Sequence, residues 1–148
     1  MLRTFVFVRH GQALKTANPP GKPVDNGLTL RGKQQALDAA RWLQSQGIEP
    51  DAIVYTQTPR ARETASIIVG HYGGIPRLIQ TRSGFRDQSG LHKKLKQWSN
   101  QSDQTLLFCG HHSSQAALTK ALSLPISQKE RGVIVVDLQE WRASTRTF

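Results

Sequence analysis

Cysteine is almost missing from this chain: Cys109 is the single one in 148 residues. An internal disulfide framework is therefore excluded, and the lone thiol fits a reducing compartment. Acidic residues are scarce as well, 10 Asp and Glu against 20 Lys and Arg, for a formal net charge of +10. No stretch approaches the ~18 apolar residues of a membrane span. The N-terminal apolar run is only Phe5 to Val8, closed by Arg9 and His10, which does not fit a signal peptide. A cytoplasmic protein with no membrane partner is the expectation. Internal repeats and low-complexity segments are also absent.

The positive charge draws in anionic partners without choosing among them. The basic residues are scattered, apart from Lys93, Lys94 and Lys96, and they are not interleaved with aromatics as in single-strand binders. A solvated basic surface is the simpler reading, and nucleic acid is not the expected partner.

The length suits a single domain over 1–148, one that buries roughly two-thirds of its unfolded surface. Residues 3–9 read as a buried strand. Residues 18–27, crowded with Pro, Gly, Asn and Asp, read as a loop. Thr29 is a fitting N-cap for a helix to about Gln46, with Gly47 as its stop and Ala36, Leu37, Ala40 and Leu43 on one face. A strand over 52–55 leads to Thr58-Pro59, a capping hydroxyl followed by proline, which opens a helix to about His71. The pattern then predicts a short strand at 77–81, an irregular stretch at 82–90 and a helix at 91–99. A buried strand at 105–109, a helix at 113–123 and a last strand at 133–138 follow. Alternating strands and helices argue for an α/β fold in three layers, a mostly parallel central sheet flanked by helices.

In such sheets, sites form beyond the carboxyl ends of the strands. There the first strand delivers Arg9, His10 and Gly11, the second leads to Arg60, and the fourth delivers His111 and His112. Converging cations repel one another unless an anion joins them. A phosphoryl group suits them: arginine grips its oxygens with a bidentate fork, and Arg60 in a first helical turn adds free N–H groups. Cysteine-based phosphatase chemistry is a poor fit, because the residue six after Cys109 is Gln115 rather than arginine, so Cys109 reads as a small core residue. The histidines lack zinc-ligand spacing, and the scheme needs no metal and no cofactor.

The pieces R-H-G at 9–11, L-T-L-R-G-K-Q-Q-A at 28–36, T-Q-T-P-R-A-R-E-T-A at 56–65 and G-H at 110–111 together resemble the histidine phosphatase superfamily, of phosphoglycerate-mutase-like fold. The likeness is to its small, SixA-like phosphohistidine phosphatase branch. The resemblance implies that His10 is the nucleophile and that Arg9, Arg60 and His111 form the phosphate pocket. Thr29 and Gly32 match the helix-start pattern. Neutral His10 would attack phosphorus in line, and water would cleave the phosphoenzyme. The cations around it would lower its pKa, and a backbone carbonyl would fix its tautomer. Gly11 would let the backbone approach the phosphate.

Many members of the family use an acid for the leaving oxygen. Asp87 lies in the right part of the chain as a candidate, with a solvated loop residue as the alternative. A weak or absent acid fits a phosphohistidine substrate better than an ester. Register favours Arg60 over Arg62, and His111 over His112, which is kept as a substrate-binding candidate. His71 and His92 are expected at the surface. The expected partner is a phosphorylated substrate, such as a histidine phosphotransfer protein. A small-molecule phosphomonoesterase and a catalytically inactive basic module binding phospho-ligands or RNA are the alternatives.

Overall fold

The computed structural model describes residues 1–17, 23–124 and 132–148. In chain order the elements are β1 (Thr4–Arg9), β2 (Ala13–Ala17), β3 (Pro23–Leu28), α1 (Leu30–Ser45), β4 (Ala52–Thr56), α2 (Pro59–His71), β5 (Arg77–Thr81), α3 (Gln88–Trp98), β6 (Thr105–Gly110), α4 (His112–Ala121), β7 (Gly132–Asp137) and β8 (Arg142–Thr147). Six strands form the central sheet in the order β5-β4-β6-β1-β7-β8. The first four run parallel, while β7 pairs antiparallel with β1 and β8 antiparallel with β7. This is a mixed α/β sandwich with helices on both faces of the sheet.

Strand alternation sorts the core into two layers. In β1, Phe5 and Phe7 join Phe108, Leu91, Leu95, Trp98 and Leu118 under α3 and α4. Val6 and Val8 join Ala39, Ala40, Leu43, Ala65, Ile68 and Cys109 under α1 and α2. All of these are nearly inaccessible, as strands covered on both faces must be. Trp98 stacks on Phe108 at 5.0 Å between centroids, closing the α3 side. Cys109 is thus a core residue, and burial pushes its thiol pKa up.

The helix signals act as read. Thr29 caps α1 by accepting from the Gly32 amide, and Thr58 caps α2 from the Ala61 amide, with Pro59 in the first turn. Gly47 follows α1 with a positive φ of 73°. Two expectations are corrected, and one strand is added. Of the loop expected over 18–27, residues 23–27 belong to β3, which pairs antiparallel with β2, while 18–22 lie outside the described residues. The helix expected at 91–99 begins at Gln88, because the Asp87 carboxylate accepts from the Gly90 amide and starts it earlier. Residues 142–147, left unassigned from sequence, form the edge strand β8.

Candidate active site

The adjacency of β4, β6 and β1 puts three strand ends side by side. Arg9 is in register with Gly110, and the His10 amide donates to the Gly110 carbonyl at 3.0 Å. His10 and His111, distant in sequence, thereby come together with ring centroids 5.1 Å apart. His10 is buried, at 7% exposure. Its Nδ1 lies 2.7 Å from the Gly11 carbonyl oxygen. A carbonyl can only accept, so Nδ1 carries the proton and the neutral ring keeps its lone pair on Nε2. A backbone carbonyl fixing the tautomer was the sequence expectation.

His111 occupies the N-cap position of α4 but makes no capping bond with its side chain. Its Nε2 is instead hydrogen-bonded to the Thr56 hydroxyl at 2.6 Å and to the Thr58 hydroxyl at 3.3 Å. Two residues around the carboxyl end of β4 therefore aim this ring. Arg9 follows Phe5 and Phe7 in the strand alternation onto the α4 side. There its Nη1 donates to Oε1 of Gln115, at 3.3 Å. Gln115 is buried at 1% exposure, one helical turn beyond His111. Partial burial lowers the Arg9 pKa from its ordinary value. From so high a starting point the guanidinium remains charged at neutral pH.

Arg60 lies in the first turn of α2, half-buried, whereas Arg62 is exposed. A hydroxyl ties Arg60 to the nucleophile loop: Thr64 Oγ1 donates to the Arg60 carbonyl at 2.8 Å and accepts from the Gly11 amide at 3.3 Å. Gly11 does serve a close approach, and the backbone it meets is that of Gly32. A Cβ at Gly11 would strike the Gly32 carbonyl oxygen, and one at Gly32 would strike the carbonyl of Gln12. The same junction is pinned by Gln35, which accepts from the Gln12 amide at 2.9 Å, and by Thr29, whose hydroxyl donates to the Gln12 side chain at 2.9 Å. Glu63 holds β3 by accepting from the Leu28 amide at 3.1 Å.

Beside His111 opens a hollow of about 300 Å³, walled by residues 56–58 after β4, 82–86 after β5, and His111, Ser113 and Ser114. Among the described residues its lining includes Arg82, Arg86 and several hydroxyls but no carboxylate. Asp87 is exposed and caps α3, and it is not among the lining residues. His112 is also exposed and outside the lining. Among the described residues, no three His, Cys, Asp or Glu side chains cluster to hold a metal ion. The sequence reading missed Thr56, Thr64 and Gln115 as members of the site. Gln115 had a signal: it lies one turn after the pocket histidine, on the helix that opens at the same strand end.

A doubly covered α/β sheet thus gathers two histidines and an arginine at the carboxyl ends of its central strands, a set of groups whose chemistry suits a phosphoryl group. The chain belongs to the histidine phosphatase superfamily (branch 1), whose family model matches residues 5–103. A 2,3-bisphosphoglycerate-dependent phosphoglycerate mutase from Bradyrhizobium diazoefficiens is 34% identical over 116 residues, 72% of this chain and 54% of that protein. A mutase of the same description from Bartonella quintana is 32% identical, over 70% of this chain and 54% of its own length. The chain thus spans about half the length of these curated relatives. Among solved structures, a protein assigned as phosphohistidine phosphatase SixA from Agrobacterium tumefaciens superposes with a TM-score of 0.71 at 19% identity, over 100% of this chain and 97% of that one. A protein histidine phosphatase SixA complexed with tungstate gives a TM-score of 0.64 at 17% identity, over 97% and 94%. Members of the family are phosphatases or mutases.

Proposed function

We propose that the protein is a phosphatase that forms a phosphohistidine intermediate on His10 and takes its phosphoryl group from phosphohistidine on another protein. The observation that carries the substrate assignment is the lining of the hollow beside His111, which among the described residues offers cations and hydroxyls but no carboxylate. An alkoxide must be protonated as it leaves. A phosphohistidine ring can instead be protonated on its distal nitrogen and depart as neutral imidazole, so no acid is needed at the breaking bond. The likeness to SixA structures supports the fold that such a site requires.

In this mechanism Nε2 of His10, kept basic by the Nδ1–Gly11 hydrogen bond, attacks phosphorus as the substrate P–N bond breaks. Arg9, held by Gln115, and Arg60 and His111 neutralise the equatorial oxygens. Water then attacks the phosphoenzyme, and inorganic phosphate leaves with His10 restored. The curated relatives favour a second reading, a small phosphate ester of the phosphoglycerate type, with Arg82 and Arg86 holding its carboxylate.

The test is phosphate release by wild type and His10→Ala from a phosphohistidine protein, phosphoramidate and a panel of phosphate esters including phosphoglycerates. Release from the phosphohistidine protein that disappears in the variant supports the proposal. Release from esters alone overturns the substrate and keeps the nucleophile. Equal activity in both proteins overturns the nucleophile.

A further inference from the structure

The hollow at His111 does not end the polar surface around the site. Arg86 and Ser113 also line a second hollow, of about 510 Å³, that runs along the outer side of α4 past Ala116 and Lys120 to Leu124. The two share a wall and together form a trough leading away from His111. Its cations are Arg82 and Arg86 near the site and Lys120 further along α4, and among the described residues neither lining contains a carboxylate. Among the described residues, none of the three has an ion-pair partner. Asp87, next to Arg86 in sequence, is engaged in capping α3. On that same side of the sheet, α3 sets Lys93 and Lys96 around a further hollow of about 500 Å³. Ala116, Ala117 and Leu124 supply the trough's apolar lining, alongside the hydroxyls of Ser113, Thr119 and Ser123.

A phosphoryl group on a protein reaches His10 only if the surrounding surface of that protein lies against this enzyme. Among the described residues, the walls of the trough next to His111 carry the cations Arg82 and Arg86. Resting on the phosphohistidine-protein reading above, we propose that the trough from His111 across Arg86 to Lys120 docks a carboxylate-bearing segment of the phosphorylated protein. Its acidic side chains meet Arg86 and Lys120, and its apolar ones lie on Ala116, Ala117 and Leu124. Charge complementarity of this kind selects partners and speeds encounter more than it adds raw affinity. The docking energy therefore shows in kcat/KM for the protein and in its salt dependence.

The experiment compares three forms: wild type, Lys120→Glu, and Arg41→Glu on the exposed side of α1, which changes net charge equally on the opposite face. Each is assayed with a phosphohistidine protein of acidic surface and with phosphoramidate. Lys120→Glu is expected to lower kcat/KM for the protein about tenfold at low salt, with the loss shrinking as salt is added. Phosphoramidate turnover stays within about twofold, and Arg41→Glu stays near wild type on both substrates. Equal losses in the two variants, or a Lys120→Glu loss shared by phosphoramidate, overturn the docking surface while leaving the phosphatase reading intact. Inhibition of protein turnover by polyuridylate but not by polyglutamate reassigns the trough to nucleic acid and overturns the proposal. No wild-type turnover of the phosphohistidine protein, with phosphoramidate or esters still hydrolysed, removes the substrate reading and the docking surface together.

Discussion

Two helical glycines should respond to alanine with opposite signs. Gly32 is the third residue of α1, and Gly70 lies near the end of α2. Intrinsic propensity favours alanine at either by about 1 kcal/mol. At Gly70 a Cβ meets nothing within 4 Å, so that gain stands. At Gly32 the Cβ runs into the carbonyl of Gln12, with the Gln12 nitrogen at 2.8 Å, where ordinary contact begins at 3.4 Å. The opposing atoms are backbone and cannot rotate away, so overpacking costs about 2–3 kcal/mol, the upper part of its usual range. The net is a loss of about 1–2 kcal/mol for Gly32→Ala against a gain of up to about 1 kcal/mol for Gly70→Ala. At roughly 2–4 °C per kcal/mol for a chain of this size, Tm falls by about 2–8 °C in the first and rises by up to about 4 °C in the second. Thermal unfolding followed by circular dichroism measures both. Because Gln12 is two residues from His10, a displacement of about 1 Å at this junction also lowers phosphoramidate turnover, by up to about 100-fold. A Gly32→Ala protein as stable and as active as wild type would refute the claim that the α1–loop contact positions the nucleophile.

Thr56→Val removes the hydroxyl 2.6 Å from His111 while keeping the side-chain shape, and is expected to lower kcat about 10-fold with Tm nearly unchanged; an unaltered kcat would show that this bond does not aim the ring. Asp103 is buried and receives both terminal nitrogens of Arg77, at 2.9 and 2.7 Å, and this pairing holds its carboxyl below the ordinary range. A depressed carboxyl stabilises the fold above its unfolded pKa and loses that contribution as pH falls through the folded value. Asp103→Asn should therefore cost about 1–3 kcal/mol at pH 7, limited because Arg77 is 42% exposed, and the gap in urea midpoint should close below about pH 4. Cys109, with its thiol pushed up by burial, should resist an aromatic disulfide reagent at pH 8 and react once the protein is unfolded in guanidinium; rapid native reaction would contradict its place in the core.

The elements legible in sequence were those whose signal is local. Thr29 and Thr58 announce their helices because a capping hydroxyl acts within three residues, and the buried strands announce themselves by continuous apolar runs. What escaped depends on partners. β8, Arg142–Thr147, has no apolar run because it is an exposed edge held by β7 alone. β3 was hidden by its Pro, Asp and Asn residues, which locally favour turns. The antiparallel entry of β7 beside β1 left no mark in either strand. At the site, the approach of His10 to His111 followed from strand ends alone. The Thr64 and Gln115 bonds did not, because each depends on how a helix face packs against a strand end rather than on strand ends alone. Asp87 shows the ambiguity of a single carboxylate: the spacing to Gly90 that makes it a cap is as readable as the loop position that suggested an acid.

The order of strands in the sheet has a kinetic consequence. Thr4 of β1 pairs on one side with Thr105 of β6 and on the other with Asp137 of β7. The strand that carries Arg9 and leads into His10 therefore has no neighbour until the chain has run about a hundred residues further. Such distant pairing makes closure of the sheet centre slow relative to the local helices. Until then, Phe5 to Val8 form an apolar segment with both edges open, the kind of surface that recruits other chains. The placement of His10 thus depends on long-range pairing on both edges of β1, whereas each helix closes its own hydrogen bonds locally.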